Sequence, residues 1–433
     1  AVACGATTSG MGRTGTVDWC TTAKTSPFTA VNGDGFFVNT TSGAITVTLP
    51  SSPSAGDIVA IADYLNTFGN NAVTLCRNSS LINGGANNAT LSTNGQSVTL
   101  VYVDGTRGWK TVTDSTSDVT GQPLYVTATG GTVTCSGDYR IHTFTADGNF
   151  VVTGAGLPGG SNKVSYMVVA GGGGGGGDHG GGGGAGGFRE GKCSSDPYTD
   201  SPLDAGAGLS VPVATYPISV GAGGAGGEAQ PSPNNPSGQG TWGTPGSNSI
   251  FSTITSAGGG GGAKEPYPTG QPTTHIDGGV GRTGGSGGGG SYTTPNTPQA
   301  GTGGAGNTPP VSPPQGNPGG TSPSVGSPAP YNAGQGGGGA TAAGQGRAGA
   351  CTGGNGGAGA TTSITASPVA RAGGGGGSKG GTGACGGGNG PNPGSGTAAT
   401  VNTGSGGGGG FPDTATGGAG GSGIVVIRYK YQN

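Results

Sequence analysis

The sequence is poor in charge and has no long hydrophobic run. Of its 433 residues, 8% are Asp, Glu, Lys or Arg, and the formal net charge is −2. A surface with so few basic residues disfavours nucleic-acid binding and polybasic attachment to membranes. No run of about 18 apolar residues occurs, so the sequence predicts neither a transmembrane helix nor membrane insertion.

Cysteine and histidine are also scarce. The chain has 7 cysteines and 3 histidines, and no two cysteines have the C-x-x-C spacing of zinc and thiol-redox sites. The odd number of cysteines allows at most three internal disulfides. Asp178 and His179 are adjacent, but no third ligand lies nearby, so we interpret them as a solvent-exposed turn. The sequence therefore predicts no metal site and no cofactor.

The patterns of catalytic sites are missing too. The segment Gly375-Gly376-Gly377-Ser378-Lys379 lacks both the residue order and the following helix of a phosphate-binding loop. No Gly-x-Ser-x-Gly lies between a predicted strand and a predicted helix. Asp196, Asp200 and Asp204 recur every four residues, but their proline-containing loop gives them no common face. We therefore expect a protein without catalytic residues.

The most abundant residue is glycine, and it is concentrated in one block. Of the 110 glycines, 87 lie within residues 170–433, many in uninterrupted runs such as Gly171–Gly177, Gly258–Gly262 and Gly406–Gly410. Such a block cannot build an ordinary side-chain core, so it is either disordered or packs backbone against backbone. Disorder usually accompanies high charge, which is absent here, and strong strands frame the block, so we favour packing.

Two kinds of glycine-rich packing are known from fibrous proteins. Collagen requires glycine at every third position, and the runs here break that rule. The same left-handed backbone, with three residues per turn, forms no hydrogen bonds within the helix, so each N–H and C=O needs a neighbouring helix as partner. The sequence therefore predicts a polyglycine-II helical sandwich with glycine on every face that meets a neighbour.

The sequence before the glycine block is typical of all-β structure. Ile45, Val47 and Leu49 alternate with polar residues and share one face of a predicted strand. Asp104-Gly105 predicts a hairpin turn between two further strands. We find essentially no α-helix, and the strand spacing favours a small β-sandwich or β-roll.

Two apolar strands frame the glycine block. Val164–Val169 leads directly into the first glycine run, and Ile424–Tyr429 follows the last one. We expect these two strands to share one sheet at the base of the glycine-rich unit. The predicted organisation is an N-terminal arm or connector over residues 1–24, a β-sandwich or β-roll module over 25–118, a β-segment over 124–169, the glycine-rich domain over 170–423 and a closing strand over 424–433.

The segments between the glycine runs are rich in proline and aromatic residues. The glycine block contains 25 of the 30 prolines, mostly between runs. Proline stiffens a loop, and aromatic side chains make good contact anchors. The loops therefore either cap the glycine-rich unit or form a surface that binds a partner. The candidate binding residues are Tyr198, Trp242, Tyr267, His275, Tyr292 and Tyr331.

Several segments occur in an order that resembles a known family. They are Gly137–Thr145, the strand ending Val168-Val169-Ala170, the segment Ile218–Gly224 and the closing Gly421–Tyr429. This order is similar to the glycine-rich domain of bacteriophage virion proteins, and Phe28–Val59 resembles modules of tail-fibre-like proteins of marine phages. The resemblance implies an adhesin or tail fibre on the virion surface, whose loops contact a host-cell receptor, either protein or glycan. It also implies contacts with other virion proteins and a homo-oligomer, with a trimer favoured.

Other functions stay open from the sequence alone. The main alternative is a purely structural virion decoration, whisker or filament subunit that self-assembles through its glycine-rich domain. An ice-binding or cell-wall protein would need flat, regular faces of Thr or Ala, and we interpret the loops as too irregular for that.

Overall fold

The computed structural model describes residues 17–115, 125–156, 161–229, 240–265, 279–292, 301–322, 332–348, 351–412 and 414–432. Within these ranges the chain forms 22 β-strands and no helix, which confirms the all-β prediction for this part of the chain. The chain divides into two compact units, Ala1–Gly121 and Gln122–Asn433.

The N-terminal unit contains two sheets, and its first six strands alternate between them. Its strands are β1 Asp18–Lys24, β2 Phe28–Thr29, β3 Asp34–Val38, β4 Ile45–Thr48, β5 Ile58–Asp63, β6 Val73–Cys76, β7 Ala89–Leu91, β8 Ser97–Tyr102 and β9 Trp109–Ser115. Strands β1, β3 and β5 pair in parallel in one sheet, and β2, β4 and β6 pair in parallel in the other. The last three strands pair antiparallel. Strand β7 pairs with β6 in the second sheet, and β8 and β9 follow β5 in the first.

Apolar side chains from both sheets form the core of this unit. Ile45, Val47 and Leu49 are all buried, so the predicted alternation is confirmed. Strands β8 and β9 form the predicted hairpin, and Tyr102 pairs with Trp109 across it. The Trp109 side chain is fully buried.

The last part of the predicted N-terminal arm or connector, residues 18–24, forms the first strand. Strand β1 pairs with β3, buries Cys20 and lays Trp19 over Gly35. Cys20 is also disulfide-bonded. The segment Asp18–Lys24 has no apolar alternation, so the pattern that identified the other strands did not reveal this one.

The C-terminal unit contains thirteen strands and the glycine segments between them. The strands are β10 Val126–Thr129, β11 Thr132–Ser136, β12 Tyr139–Phe144, β13 Gly148–Ala155, β14 Lys163–Val169, β15 Phe188–Gly191, β16 Leu209–Ser210, β17 Ala214–Ser219, β18 Ser249–Phe251, β19 Ile254–Ser256, β20 Ala360–Thr362, β21 Val369–Arg371 and β22 Ile424–Lys430.

The sheet that contains β14 and β22 is buried on both faces. Its strand order is β11-β12-β22-β14-β15. Val168 and Ile427 on one face pack against the sheet β10-β13-β17-β18-β19, while Met167 and Val426 on the other face pack beneath the loops and glycine segments. Strands β14 and β22 pair antiparallel from Ser165 to Val169, so the predicted shared sheet is confirmed.

The glycine segments lie side by side and are joined by backbone hydrogen bonds. The N–H groups of Gly171, Gly174 and Gly177 donate to the same neighbouring segment, at distances of 3.0–3.1 Å. Gly172 and Gly175 donate to a second neighbouring segment, and Gly173 and Gly176 donate to a third. Each neighbour therefore accepts every third N–H of the run. The accepting segments are 181–187, 241–247 and 415–421, and the segments that donate back are 224–227, 259–262 and 407–410.

This packing leaves no room for side chains in the inner segments. A β-carbon added to Gly174 would lie 2.5 Å from the carbonyl carbon of Ala225, and its neighbours in the run meet backbone atoms just as closely. Ala222, Ala225, Thr416 and Ala419 lie in the outer segments and are exposed. Glycine is therefore needed inside the bundle, whereas small side chains fit on the outward-facing positions.

Candidate functional site

The glycine-rich bundle has two chemically different ends. The segment that begins after β14 runs away from the sheets to the turn at Asp178 and His179, and we call the end at this turn the distal end. Gly177 donates to the carbonyl of Thr241 at 3.1 Å, and Asp178 donates to that of Ala415 at 3.1 Å, so both acceptors lie beside the turn. The sheets occupy the opposite, basal end.

Four stretches outside the described residues begin and end at the distal end: 230–239, 266–278, 293–300 and 323–331. Glu228 and Thr241 flank the first stretch and hydrogen-bond each other. Tyr292, which precedes the third stretch, donates to Glu265, which precedes the second, at 2.6 Å. Ser322, before the fourth, bonds to Gly301. The described residues that flank these four stretches therefore lie together at the distal end of the bundle.

A group of aromatic and charged side chains occupies this end of the bundle. We call it the distal cluster. Its members are His179, Trp242, Lys264, Glu265, Arg282, Tyr292, Lys379 and Phe411.

Trp242 contacts two neighbouring segments at the distal end. Lys264 Nζ lies 4.6 Å from the centroid of the Trp242 ring, and Arg282 Cζ lies 5.2 Å from it. The indole N–H donates to the carbonyl of Val280 at 3.1 Å. Cations over an aromatic face attract the ring electrostatically and restrict its rotation. Trp242 is half-buried, so part of its ring is accessible to solvent.

The turn at Asp178 and His179 is buried, which corrects the prediction of a solvent-exposed turn. Their side chains are 0% and 7% exposed. The His179 ring packs against Tyr292 and Phe411, with centroids 5.3 Å and 4.9 Å away. Phe411 is in turn contacted by Lys379, whose Nζ lies 5.2 Å from its centroid. Aromatic residues from later glycine segments thus cover a turn that the local sequence leaves open.

The predicted binding residues divide between several locations. Trp242 and Tyr292 belong to the distal cluster. Tyr267, His275 and Tyr331 lie outside the described residues, within stretches that begin and end at the distal end. Tyr198 lies at the basal end and is 6% exposed, and burial raises the pKa of its phenol above the usual range.

Sequence reasoning missed several members of the distal cluster. Lys264, Lys379 and Phe411 were not among the predicted residues. A signal for them exists, since each follows a glycine run directly or after one small residue. A large residue at that position marks the point where a glycine segment reaches an end of the bundle.

The basal end contains a buried ionic network. Arg428 Nε donates to Asp196 Oδ1 at 2.9 Å, and Ser165 Oγ donates to Asp196 Oδ2 at 3.0 Å. Burial raises the pKa of Asp196, although Arg428 and Ser165 favour its charged form. Nearby, Glu190 accepts hydrogen bonds from Ser201 N–H at 2.9 Å and from the Thr362 hydroxyl at 2.6 Å, and burial raises its pKa as well. The network ties loops and strands to β22.

Neither end contains a recognisable metal site in the described part of the chain. Across those ranges, no three His, Cys, Asp or Glu side chains are grouped so that they could hold a metal ion. The same ranges contain no helix that is long and apolar enough to cross a membrane.

A comparison with curated proteins gave no match to this chain. A family model described as a glycine-rich domain matches residues 145–430. The match includes the glycine segments, the distal cluster, and the strands β14 and β22. It extends over more than half of the sequence, and the chain therefore belongs to this glycine-rich domain family.

Proposed function

We propose that the protein is a non-catalytic adhesin or fibre protein of a phage virion, and that its distal end recognises the surface of a host cell. The carrying observation is that the residues flanking four interruptions of the glycine bundle lie at one end, beside the distal cluster. Binding surfaces commonly combine adaptable loops with rigid aromatic anchors on a firm scaffold. At the distal end, aromatic side chains lie on hydrogen-bonded glycine segments, next to the residues that flank those interruptions.

The scaffold in this proposal is a bundle of polyglycine-II helices. The three-residue rhythm of the hydrogen bonds and the six neighbours of the run at residues 171–177 support this description. Glycine at the inner positions allows the backbones to approach, and every N–H group of the run at residues 171–177 donates to a backbone carbonyl of a neighbouring segment. A bundle held in this way requires glycine only where two backbones meet, so it tolerates other residues at positions that meet no neighbouring backbone.

The receptor would be a protein or a glycan of the host surface. Trp242 presents a half-buried ring, and Arg282 is an exposed cation beside it. Aromatic and arginine side chains dominate binding energy at many interfaces, and a truncated hot-spot residue costs about 2 kcal/mol or more. This corresponds to a loss of affinity of roughly 30-fold.

The test uses the full chain, labelled and added to a panel of bacterial cells. We expect saturable binding to some strains, and we expect Trp242→Ala and Arg282→Ala each to weaken it at least tenfold. The control is Val401→Ala, which removes an apolar side chain that is 66% exposed and lies towards the basal end. Circular dichroism and urea unfolding verify that each variant remains folded.

Two results would count against this function. Equal binding by the wild type and both distal variants would remove the distal end as the recognition surface. Filaments or lattices of the purified chain, together with no binding to any strain, would favour the structural subunit that self-assembles through its glycine-rich domain. Sedimentation and electron microscopy of the same sample distinguish these outcomes. They also measure the oligomeric state, which we propose to be a trimer. In the virion, we propose that this trimer contacts other virion proteins.

A further inference from the structure

A cavity of about 230 Å³ opens at the basal end, beside the Asp196–Arg428 pair. We call it the basal cavity. Its wall is formed by Tyr139, by the start of β14, by the loop that follows β15, by the segment before β16, and by the end of β22. The distal cluster takes no part in it, so the cavity is separate from the surface proposed above for host recognition.

The wall of the basal cavity carries more positive than negative charge. It contains Lys163, Lys192, Arg428 and Lys430, but only one carboxylate, that of Asp196. Arg428 is paired with Asp196 at 2.9 Å, and Lys192 is paired with a carboxylate outside the wall at 2.8 Å. The Lys163 side chain makes no hydrogen bond and no ion pair within the described ranges, and the residue is exposed. Its ammonium group is available to an anion.

Neutral polar groups surround this cation. The side chains of Asn162 and Ser194 form no hydrogen bond to any described residue. The Tyr139 ring stands over the Arg428 guanidinium, whose Cζ lies 4.7 Å from the ring centroid, and its hydroxyl donates to the Ser195 carbonyl at 2.8 Å. The wall therefore combines a free cation with unused donors and acceptors and a fixed aromatic ring.

We propose that the basal cavity binds a small hydroxylated carboxylic acid of the size of one sugar, such as a uronate. Lys163 would hold the carboxylate, and the side chains of Asn162 and Ser194 would bond to the hydroxyl groups. The volume corresponds to about eight water molecules at roughly 30 Å³ each, which excludes an oligosaccharide from the enclosed part. An ion pair with an exposed lysine is weak by itself, so the neutral contacts determine which acid is bound.

The experiment is calorimetric titration of the full chain with glucuronate, with glucose and with inorganic phosphate. We expect one saturable site for glucuronate with a dissociation constant on the order of 1 mM or tighter, and no saturation with glucose. Lys163→Gln should weaken glucuronate binding at least tenfold, and Asn162→Ala should weaken it about threefold or more. Lys110→Gln, which removes an exposed lysine from β9, should leave it unchanged.

Three results would overturn the assignment. The first is no saturation with glucuronate at concentrations up to about 10 mM. The second is equal affinity in the Lys163→Gln and Lys110→Gln proteins, which would show that the charge of Lys163 is not used. The third is phosphate binding that is tighter than glucuronate binding and insensitive to Asn162→Ala, which would make the cavity a simple oxyanion site. None of these results depends on binding to cells.

Discussion

Replacing Gly174 by alanine tests how the glycine segments are held together. Gly174 lies in the middle of the run Gly171–Gly177, which we call the central segment. Its N–H donates to the Thr244 carbonyl at 3.0 Å, and its own carbonyl accepts from the Gly262 N–H at 2.9 Å. The new methyl group would lie 2.5 Å from the carbonyl carbon of Ala225. A backbone carbon cannot rotate away as a side chain can, so the whole segment that contains Ala225 must move.

The magnitude follows from the hydrogen bonds that this movement breaks. The displaced segment donates to the central one twice, from Gly224 to Gly172 and from Gly227 to Gly175, each at 2.8 Å. A buried polar group left unpaired costs about 1–3 kcal/mol, so two broken bonds cost about 2–6 kcal/mol. Alanine also restricts the unfolded chain, which offsets about 0.4–1 kcal/mol. The expected net loss of unfolding free energy is about 1–6 kcal/mol.

The assay is urea unfolding at fixed pH, and the matched control is Gly148→Ala. A β-carbon at Gly148 would meet its nearest neighbour, in the Phe144 ring, at 3.4 Å, which is ordinary van der Waals contact. This control should change the unfolding free energy by less than about 1 kcal/mol. If Gly174→Ala costs no more than Gly148→Ala, the inner glycines are not needed for close packing and the reasoning is refuted.

Two further predictions concern groups at the basal end. Asp196→Asn leaves the buried Arg428 guanidinium without its counter-charge and should cost about 3–5 kcal/mol, whereas Asp200→Asn, in a partly exposed pair with Lys192, should cost less than about 1 kcal/mol; equal costs in urea unfolding would contradict the role of the buried pair. His142 lies 2.7 Å from the Gly130 carbonyl and 3.0 Å from the Tyr429 hydroxyl, and burial lowers its pKa below the usual 6.5. Because the unfolded chain binds this proton more readily, stability from this group is complete above pH 6.5 and decreases as the pH falls below 6.5, until the folded histidine is also protonated. His142→Gln should remove that part of the pH dependence, and an unchanged slope between pH 5 and 7 would contradict the assignment.

Strands with a buried face could be predicted from the sequence. Ile45, Val47 and Leu49 point into the core as their alternation indicates, and the continuous apolar stretches of β14 and β22 identify a sheet covered on both faces. Strand β1 escaped prediction because its stability comes from parallel pairing with β3 and from few buried side chains.

The partners of the glycine segments could not be predicted, because the runs have no side chains that distinguish one from another. Gly172 bonds to Gly421 and Gly173 bonds to Gly184, although any other run would offer the same carbonyl groups locally. The partners are set by the lengths of the connections and by the strands at the basal end. The burial of His179 was missed for the same reason, since Phe411, which covers it, is remote in sequence.

The candidate binding site was partly predictable. Trp242 and Tyr292 were identified as aromatic residues in loops, which is a sound expectation for anchors. Aromatic content alone did not separate them from Tyr198, whose side chain is buried among basal residues. The distal aromatic residues differ from Tyr198 in the end of the bundle that they occupy. That end depends on the direction of every glycine segment in the fold.

Amide hydrogen exchange of the segment Gly171–Gly177 tests most directly whether the glycine runs form an ordered scaffold. We expect these amides to exchange as slowly as those of β14 and β22, because each donates to a carbonyl of a neighbouring segment. The amide of Gly206, in an exposed turn, supplies the fast reference. Exchange of Gly171–Gly177 at the rate of Gly206 would show that the glycine runs are not an ordered scaffold. The proposed binding surface at the distal end would then lack the rigid support that the proposal requires.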